Sequence, residues 1–349
     1  MDEGFFMKRC FELARAAGSA VLPNPQVGAV LVAGGRIIGE GFHRMYGQAH
    51  AEVNAVASVQ PEDRPLIREA TLYVSLEPCS IYGKTPPCTD LILREGIRRV
   101  VISCIDRTPG VDGAGVARLR AAGVEVAAGL LREEGEQLAA TRNTFVSMER
   151  PYILLKYAVD RQGLAAAAGG RQVWITNPVS RRLVHKWRSE TGAILVGSRT
   201  AALDDPALTV RYGFNRQPVR ITIDRRLRLP RYLQLFDGSA PTLVYTTHTG
   251  PAPEYPETTF VRAPAEAPLL DFILEDLYRR KISHLTVEGG PALLSRFLDA
   301  GCWDEARVFT GETDLKSGIP GPILPAEASR VLNVGGDILR IYRRETPFS

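Results

Sequence analysis

The sequence predicts an α/β protein built as two successive domains, and three observations lead there. At 349 residues the chain exceeds the usual size of a single domain. Apolar β runs alternate with helical stretches through both halves, the pattern of layered α/β folds. That pattern restarts around Ser147–Pro151, which divides the chain into domains 1–146 and 147–349. Composition agrees: 45% hydrophobic and 23% charged residues suffice for proper cores and are too apolar for disorder.

In the first half, Phe6, Cys10, Leu13, Ala14 and Ala17 recur at helical spacing over residues 3–18, and Cys10 reads as a core residue. Pro23-Asn24-Pro25 is a rigid extended turn, because each proline fixes its own φ and restrains its predecessor. Val27–Val32 and Arg36–Glu40 are β runs joined by Gly34-Gly35, a hairpin signal. His50 opens a helix that runs to about Ser58, and Thr71–Ser75 is the next strand. Cys79 is expected to head a short helical turn and Cys88 the helix 88–95, where an N-terminal dipole favours thiolate. Arg99–Ser103 and Val124–Ala127 are further strands, with helices near 114–122 and 131–143. A hairpin beside strands joined by crossovers makes this sheet mixed.

In the second half, Tyr152–Val159, Ile194–Gly197, Val219–Asp224, Thr242–Thr246 and Leu285–Glu288 are near-continuous apolar strands. Helical stretches at 178–189, 268–281 and 292–299 separate or follow them, which argues for a parallel sheet covered on both faces. The G-x-G-x-x-G dinucleotide fingerprint is absent.

A net charge of +4 makes no case for nucleic acid. Five cysteines without repeated spacing do not form a disulfide framework and fit a reducing cytosol. The start, Met1-Asp2-Glu3, is acidic and unlike a signal peptide, and no run of about 20 apolar residues suggests a membrane span. A soluble, cytoplasmic protein is expected.

The chemistry is concentrated between His50 and Cys88, which read H-A-E at 50–52 and L-E-P-C-S-I-Y-G-K-T-P-P-C at 76–88. One imidazole and two potential thiolates suit tetrahedral Zn²⁺, and three protein ligands leave the fourth position of a catalytic site open. Zinc there can lower the pKa of bound water to roughly 7. Glu52 does not share His50's helix face, so it is a poor ligand but well placed to shuttle the water's proton. The zinc nucleobase deaminases carry an H-x-E and P-C-x-x-C signature; here eight residues separate the cysteines. A closed structural site is the alternative, with Cys10 or Cys104 as the remaining thiols. Lys84, in the loop between the cysteines, is either a solvated lysine or a phosphate-holding one. Asn24 is either a turn former or a contact for a pyrimidine edge.

The spacing P-C-S-x-x-G-K-T-P-P-C after H-A-E-V resembles the bifunctional riboflavin-biosynthesis deaminase–reductase family. The resemblance extends through P-N-P-Q-V-G-A-V at 23–30, G-E-G-F-H at 39–43, R-P-Y-I-L-L-K-Y-A at 150–158, W-I-T at 174–176, G-A-I-L-V-G-S-R-T-A-A-L-D-D-P-A-L-T-V-R at 192–211 and V-E-G-G-P at 287–291. It implies a cytidine-deaminase-like α/β/α sandwich followed by a dihydrofolate-reductase-like α/β domain. The first would deaminate a diaminopyrimidine phosphoribosyl compound with zinc, and the second would reduce its ring-opened ribose with NADPH. Matching positions imply that Asn24, His43 and Lys84 bind substrate in the deaminase. In the reductase they imply cofactor contacts from Ala158, Trp174, Thr200 and Asp204, and Gly290 opens a helix N-terminus where backbone N–H groups can receive pyrophosphate. Substrate contacts are implied for Lys156, Arg188, Leu208, Arg211 and Glu288. The expected partner is a phosphorylated pyrimidine small molecule, with no nucleic acid or membrane, and a homo-oligomer is expected. Departures from the family pattern fall at Ile81 (usually histidine), Asp106–Pro109 (D-P-N-P), Asp160–Gly163 (S-L-D-G) and Gln172 (serine). The alternative is a zinc deaminase of another nucleoside or base with a degenerate, binding-only second half.

Overall fold

The computed structural model describes residues 2–83, 85–170, 172–213, 216–325 and 327–344. The chain folds as two units, the first spanning Met1–Arg150 and the second beginning at Pro151.

The first unit runs α1 (Glu3–Ala16), β1 (Gly28–Ala33), β2 (Arg36–Phe42), α2 (Ala51–Ala57), β3 (Thr71–Leu76), α3 (Cys88–Glu95), β4 (Arg99–Cys104), α4 (Ala114–Ala121), β5 (Glu125–Ala128) and α5 (Arg132–Ser147). Its sheet has the order β2-β1-β3-β4-β5. The β1–β2 and β1–β3 pairs are antiparallel, and β3–β4 and β4–β5 are parallel, so the sheet is mixed as expected. Gly34 and Gly35 both take positive φ (56° and 76°), as a two-residue hairpin turn with the twist of its strands requires. Side chains alternate across the sheet. Leu31 and Leu72 pack one face against residues of α2, α3 and α4. Val30, Tyr73 and Val101 pack the other face against Phe6, Met7, Cys10 and Phe11 of α1. Cys10 is a core residue, its thiol donating to the Tyr73 carbonyl at 3.4 Å. A Cβ on Gly41 would lie 2.4 Å from the Ala55 nitrogen, so the bare backbone of β2 lets α2, which carries Glu52, lie directly on the sheet.

The second unit runs β6 (Tyr152–Val159), β7 (Leu164–Ala167), α6 (Pro178–Glu190), β8 (Ala193–Gly197), α7 (Ser198–Asp204), β9 (Val219–Ile223), β10 (Thr242–Thr246), β11 (Thr258–Arg262), α8 (Leu269–Arg279), β12 (His284–Val287), α9 (Pro291–Asp299), β13 (Glu305–Thr310), β14 (Gly318–Pro320), β15 (Arg330–Val334) and β16 (Asp337–Arg343). Nine strands form one sheet in the order β11-β10-β9-β8-β12-β6-β13-β16-β15, and β14 pairs with β7 separately. Pairing is parallel from β11 to β13. It turns antiparallel at β13–β16 and β16–β15. The parallel strands are apolar on both faces, with Leu155, Leu195 and Leu285 in one core and Ile194, Val196 and Val244 in another. No helix among the described residues is long and apolar enough to cross a membrane.

Candidate active sites

Three chain segments meet at the first site. His50 is the extended residue that caps α2 and Cys88 opens α3. Cys79 differs from expectation: the segment after β3 is irregular and heads no helical turn. Pro78 and the flanking prolines Pro86 and Pro87 oppose helix there, and the dipole that reaches Cys79 is α3's, through the Cys88 N–H donating to Cys79 Sγ at 3.3 Å.

The His50, Cys79 and Cys88 donor atoms lie within 4.8 Å of one another. His50 Nδ1 is 3.5 Å from Cys79 Sγ and 3.3 Å from Cys88 Sγ. Tetrahedral zinc with ordinary Zn–S and Zn–N bonds sets such N···S separations at about 3.6 Å, so the donor set fits the ion with little adjustment. The Cys104 thiol donates to the Ser75 carbonyl at 3.6 Å, and Cys10 is committed to the opposite face of the sheet. Neither joins the cluster, which among the described residues has three protein ligands. The Cys88 thiol, pointing at Cys79, holds the Cys79 thiol well below its ordinary value, with burial opposing and His50 assisting. Cys88 is raised by the same contact and by its burial.

Glu52 sits in the first turn of α2, 3% exposed, and burial pushes its carboxyl up. It lines the same cavity as His50 and Cys79, a space of about 250 Å³ whose walls include Asn24, His43 and Thr85. The Asn24 amide nitrogen is 3.2 Å from His43 Nε2, and His43 Nδ1 is 3.0 Å from the Ala49 carbonyl. Burial holds His43 below its ordinary pKa, which fits a neutral ring that accepts from Asn24 and donates to Ala49. His43 also packs edge-on against His50, with ring centroids 5.4 Å apart. Lys84 lies outside the described residues.

Two groups here escaped the sequence reading. Arg142 of α5 lines the cavity as the one permanently cationic side chain among its described lining residues. Its guanidinium donates to Thr108 Oγ1 at 3.1 and 3.2 Å and to the Pro23 carbonyl at 3.5 Å. Thr108 in turn donates to Asp106 through its hydroxyl at 2.6 Å and its N–H at 2.8 Å. The altered Asp106–Pro109 segment is therefore a capped turn whose hydroxyl receives an arginine. The second group is Glu77, whose buried carboxylate accepts four main-chain N–H bonds from residues 106–116. A signal existed for Glu77, an acid at the end of an apolar strand and two residues from a ligand cysteine; Arg142 had none, since α5 carries no motif residue.

Among the reductase candidates, Thr200 follows the carboxyl end of β8 and Glu288 that of β12, where open α/β sheets bind ligands. Arg188 of α6 forms a two-bonded pair with Glu288, at 2.9 and 2.8 Å, and donates to the Thr209 carbonyl at 3.3 Å. Burial alone would raise the Glu288 carboxyl, but Arg188 and then Lys156 outweigh it and hold it down at about 2. Lys156 itself is lowered by burial. The Arg211 N–H donates to His185 Nδ1 at 3.2 Å, and burial brings His185 down to about 4.

Thr200 of α7 accepts the Gly290 N–H at 2.9 Å. The Gly290 N–H at the start of α9 is thus satisfied by Thr200. The Leu208 side chain is 2% exposed within the core of Ile194, Val196 and Ala201, so its main chain is the part available to substrate. Trp174 is 59% exposed, with the Arg181 guanidinium 4.7 Å over its ring. Asp204, half-buried, closes α7, and burial raises its carboxyl. Ala158 lies on β6 opposite Phe309 of β13. A Cβ on Gly289 would come 3.0 Å from the Gly197 nitrogen and 2.6 Å from Leu293, so β8 and β12 end in bare backbone at the mouth of this site. Such glycine-lined strand ends beside a cation–carboxylate pair fit a phosphorylated dinucleotide. Asp160 caps the 160–163 turn, accepting from the Gln162 and Leu164 N–H groups at 2.9 and 2.8 Å and from Leu315 at 3.1 Å.

Fold and sites together define a zinc-dependent deaminase joined in one chain to a nicotinamide-dependent reductase. Residues 2–104 match the cytidine and deoxycytidylate deaminase zinc-binding region, and residues 151–311 match the RibD C-terminal domain. Riboflavin biosynthesis protein RibD of Aquifex aeolicus is 38% identical over 97% of this chain and 98% of its own length. The Escherichia coli protein of the same name is 37% identical, over 88% and 87% of the two chains. A Thermotoga maritima diaminohydroxyphosphoribosylaminopyrimidine deaminase/5-amino-6-(5-phosphoribosylamino)uracil reductase superposes with a TM-score of 0.89 at 38% identity, covering 97% of this chain and 98% of that one. Acinetobacter baumannii RibD gives 0.85 at 31% identity, covering 98% and 99%. The chain belongs to the RibD family of riboflavin-biosynthesis enzymes. It is an enzyme with deaminase and reductase activities, and its halves fit Zn²⁺ and NADPH.

Proposed function

We propose that this chain deaminates a diaminohydroxyphosphoribosylaminopyrimidine and then reduces the product's ribosyl group to ribityl. The observation that carries the reading is the His50–Cys79–Cys88 donor set opening, with Glu52, into a cavity walled by an amide and an arginine. Zinc held by these three residues supplies Lewis acidity that brings a water molecule's pKa toward neutrality. Glu52, raised by its burial, takes the proton from the attacking water and returns one to the departing amine, so that ammonia leaves. Asn24, fixed by neutral His43, presents its remaining amide capacity to the pyrimidine edge. Lys84 and Arg142 hold the phosphate end.

In the second half NADPH supplies hydride to the ring-opened ribose. Arg188 and Glu288 form a rigid wall for the ribosyl phosphate, with Lys156 at the reacting end and Arg211 as a planar phosphate donor. Thr200, Asp204, Trp174, Ala158 and Gly290 border the cofactor's place, and the main chain of Leu208 faces the substrate. The two activities divide into domains 1–146 and 147–349, and the enzyme is a cytoplasmic homo-oligomer. The test is ammonia release from the phosphorylated diaminopyrimidine followed by NADPH oxidation. Deamination of a free nucleoside without NADPH consumption would favour the deaminase of different specificity.

A further inference from the structure

We infer that Glu77 is the positioning residue of the metal site, acting through α4 as a clasp that fixes both cysteine ligands; this rests on the zinc-deaminase reading. Glu77 is two residues before Cys79 and 3% exposed. Its Oε1 accepts the N–H groups of Gly115 and Val116 at 2.8 and 3.1 Å. Its Oε2 accepts those of Gly113 and Asp106 at 2.9 and 3.3 Å. Both oxygens are thus saturated by main-chain donors, three of them at the start of α4, where helix N–H groups lack intrahelical partners. A buried carboxylate held this way leaves the segment that follows it little freedom.

The other end of the same helix grips the second ligand's helix. Arg118 donates to Thr89 Oγ1 at 3.0 Å and pairs with Asp90 at 2.5 Å. Thr89 donates its N–H and hydroxyl to the Cys79 carbonyl at 3.2 and 3.3 Å. One eight-residue helix therefore ties the Cys79 loop at its N-terminus and the Cys88 helix near its C-terminus. Gly115 completes the fit: a Cβ there would lie 2.1 Å from the Pro78 carbonyl oxygen. Groups that orient metal ligands from outside commonly set affinity as strongly as their geometry demands, by 10- to 100-fold.

The test uses the full-length protein, with zinc affinity read by competition against a chromophoric chelator and the ligand field read from the Co²⁺-loaded absorption spectrum. In Glu77→Gln the amide keeps the size but can accept with one oxygen only, so two N–H groups face a donor. Zinc should bind about 10- to 100-fold more weakly, the Co²⁺ spectrum should shift, and NADPH oxidation with the deaminated substrate, served by the other unit, should be unchanged. Equal zinc affinity and an unaltered spectrum in Glu77→Gln would overturn the proposal. If that variant does not fold, Gly115→Ala carries the test by pushing the same loop with the carboxylate intact; weakened zinc supports the clasp and unchanged zinc overturns it. An unaltered protein that takes up no stoichiometric zinc overturns the deaminase reading and the proposal with it.

Discussion

The Arg188–Glu288 pair should govern the stability of the second unit, in a pH-dependent way. Both side chains are nearly buried, 14% and 8% exposed, and meet at 2.8 Å. Glu288 titrates at about 2 in the folded chain against an ordinary 4.5. At about 1.4 kcal/mol per pH unit, a difference of about 2.5 gives a contribution of about 3 kcal/mol at neutral pH. Because the folded value is depressed, that contribution is complete above about pH 4.5 and is lost as pH falls toward 2; at pH 3 about 1 kcal/mol should remain. Arg188→Met strands a buried carboxylate and should cost about 3–5 kcal/mol, whereas Arg188→Met/Glu288→Leu should be near neutral. The three tryptophans, Trp174, Trp187 and Trp303, all lie in the second unit, so urea unfolding followed by their fluorescence isolates it from its neighbour. An Arg188→Met loss under about 1 kcal/mol, or one that does not shrink between pH 7 and pH 3, refutes the reasoning.

Three further outcomes follow from the first site. Cys88→Ser should lose stoichiometric zinc and deamination together, as metal analysis and ammonia release will show; full metal occupancy would remove Cys88 from the ligand set. Glu52→Gln should retain zinc while losing roughly 10²–10⁴-fold in deamination rate; loss of the metal with the carboxylate would make Glu52 structural. Arg142→Gln and Lys84→Ala should each raise KM for the phosphorylated substrate more than for its dephosphorylated form, and equal effects on both would place these cations away from the phosphate.

The readable parts of the fold were those with local signatures. Tyr152–Val159 and Thr242–Thr246 are strands over those same residues, because β-branched and aromatic runs between breakers carry their own signal. The hairpin at Gly34-Gly35 and the start of α3 at Cys88 were legible for the same reason. Strands β13 and β16 were not: Glu305, Arg307 and Arg343 interrupt their apolar pattern, and Glu305 is balanced by Arg307 on its own strand and by Arg343 across the sheet. Strand β11 is a short edge with none of its side chains fully buried, so it lacks a core-facing pattern. At the deaminase site the ligands and Glu52 were legible because zinc demands particular donors at close spacing. Arg142, Glu77's four N–H partners and the buried side chain of Leu208 depend on distant segments meeting, which no local pattern records.

Zinc chemistry in one half of the chain feeds nicotinamide chemistry in the other. NADPH oxidation by the purified full-length chain, started from the undeaminated phosphoribosyl pyrimidine and compared before and after zinc removal, tests it most directly. Oxidation should stop without zinc, return when zinc is restored, and proceed without zinc when the deaminated compound is supplied. Oxidation from the undeaminated substrate that continues unchanged in zinc-free protein would contradict it.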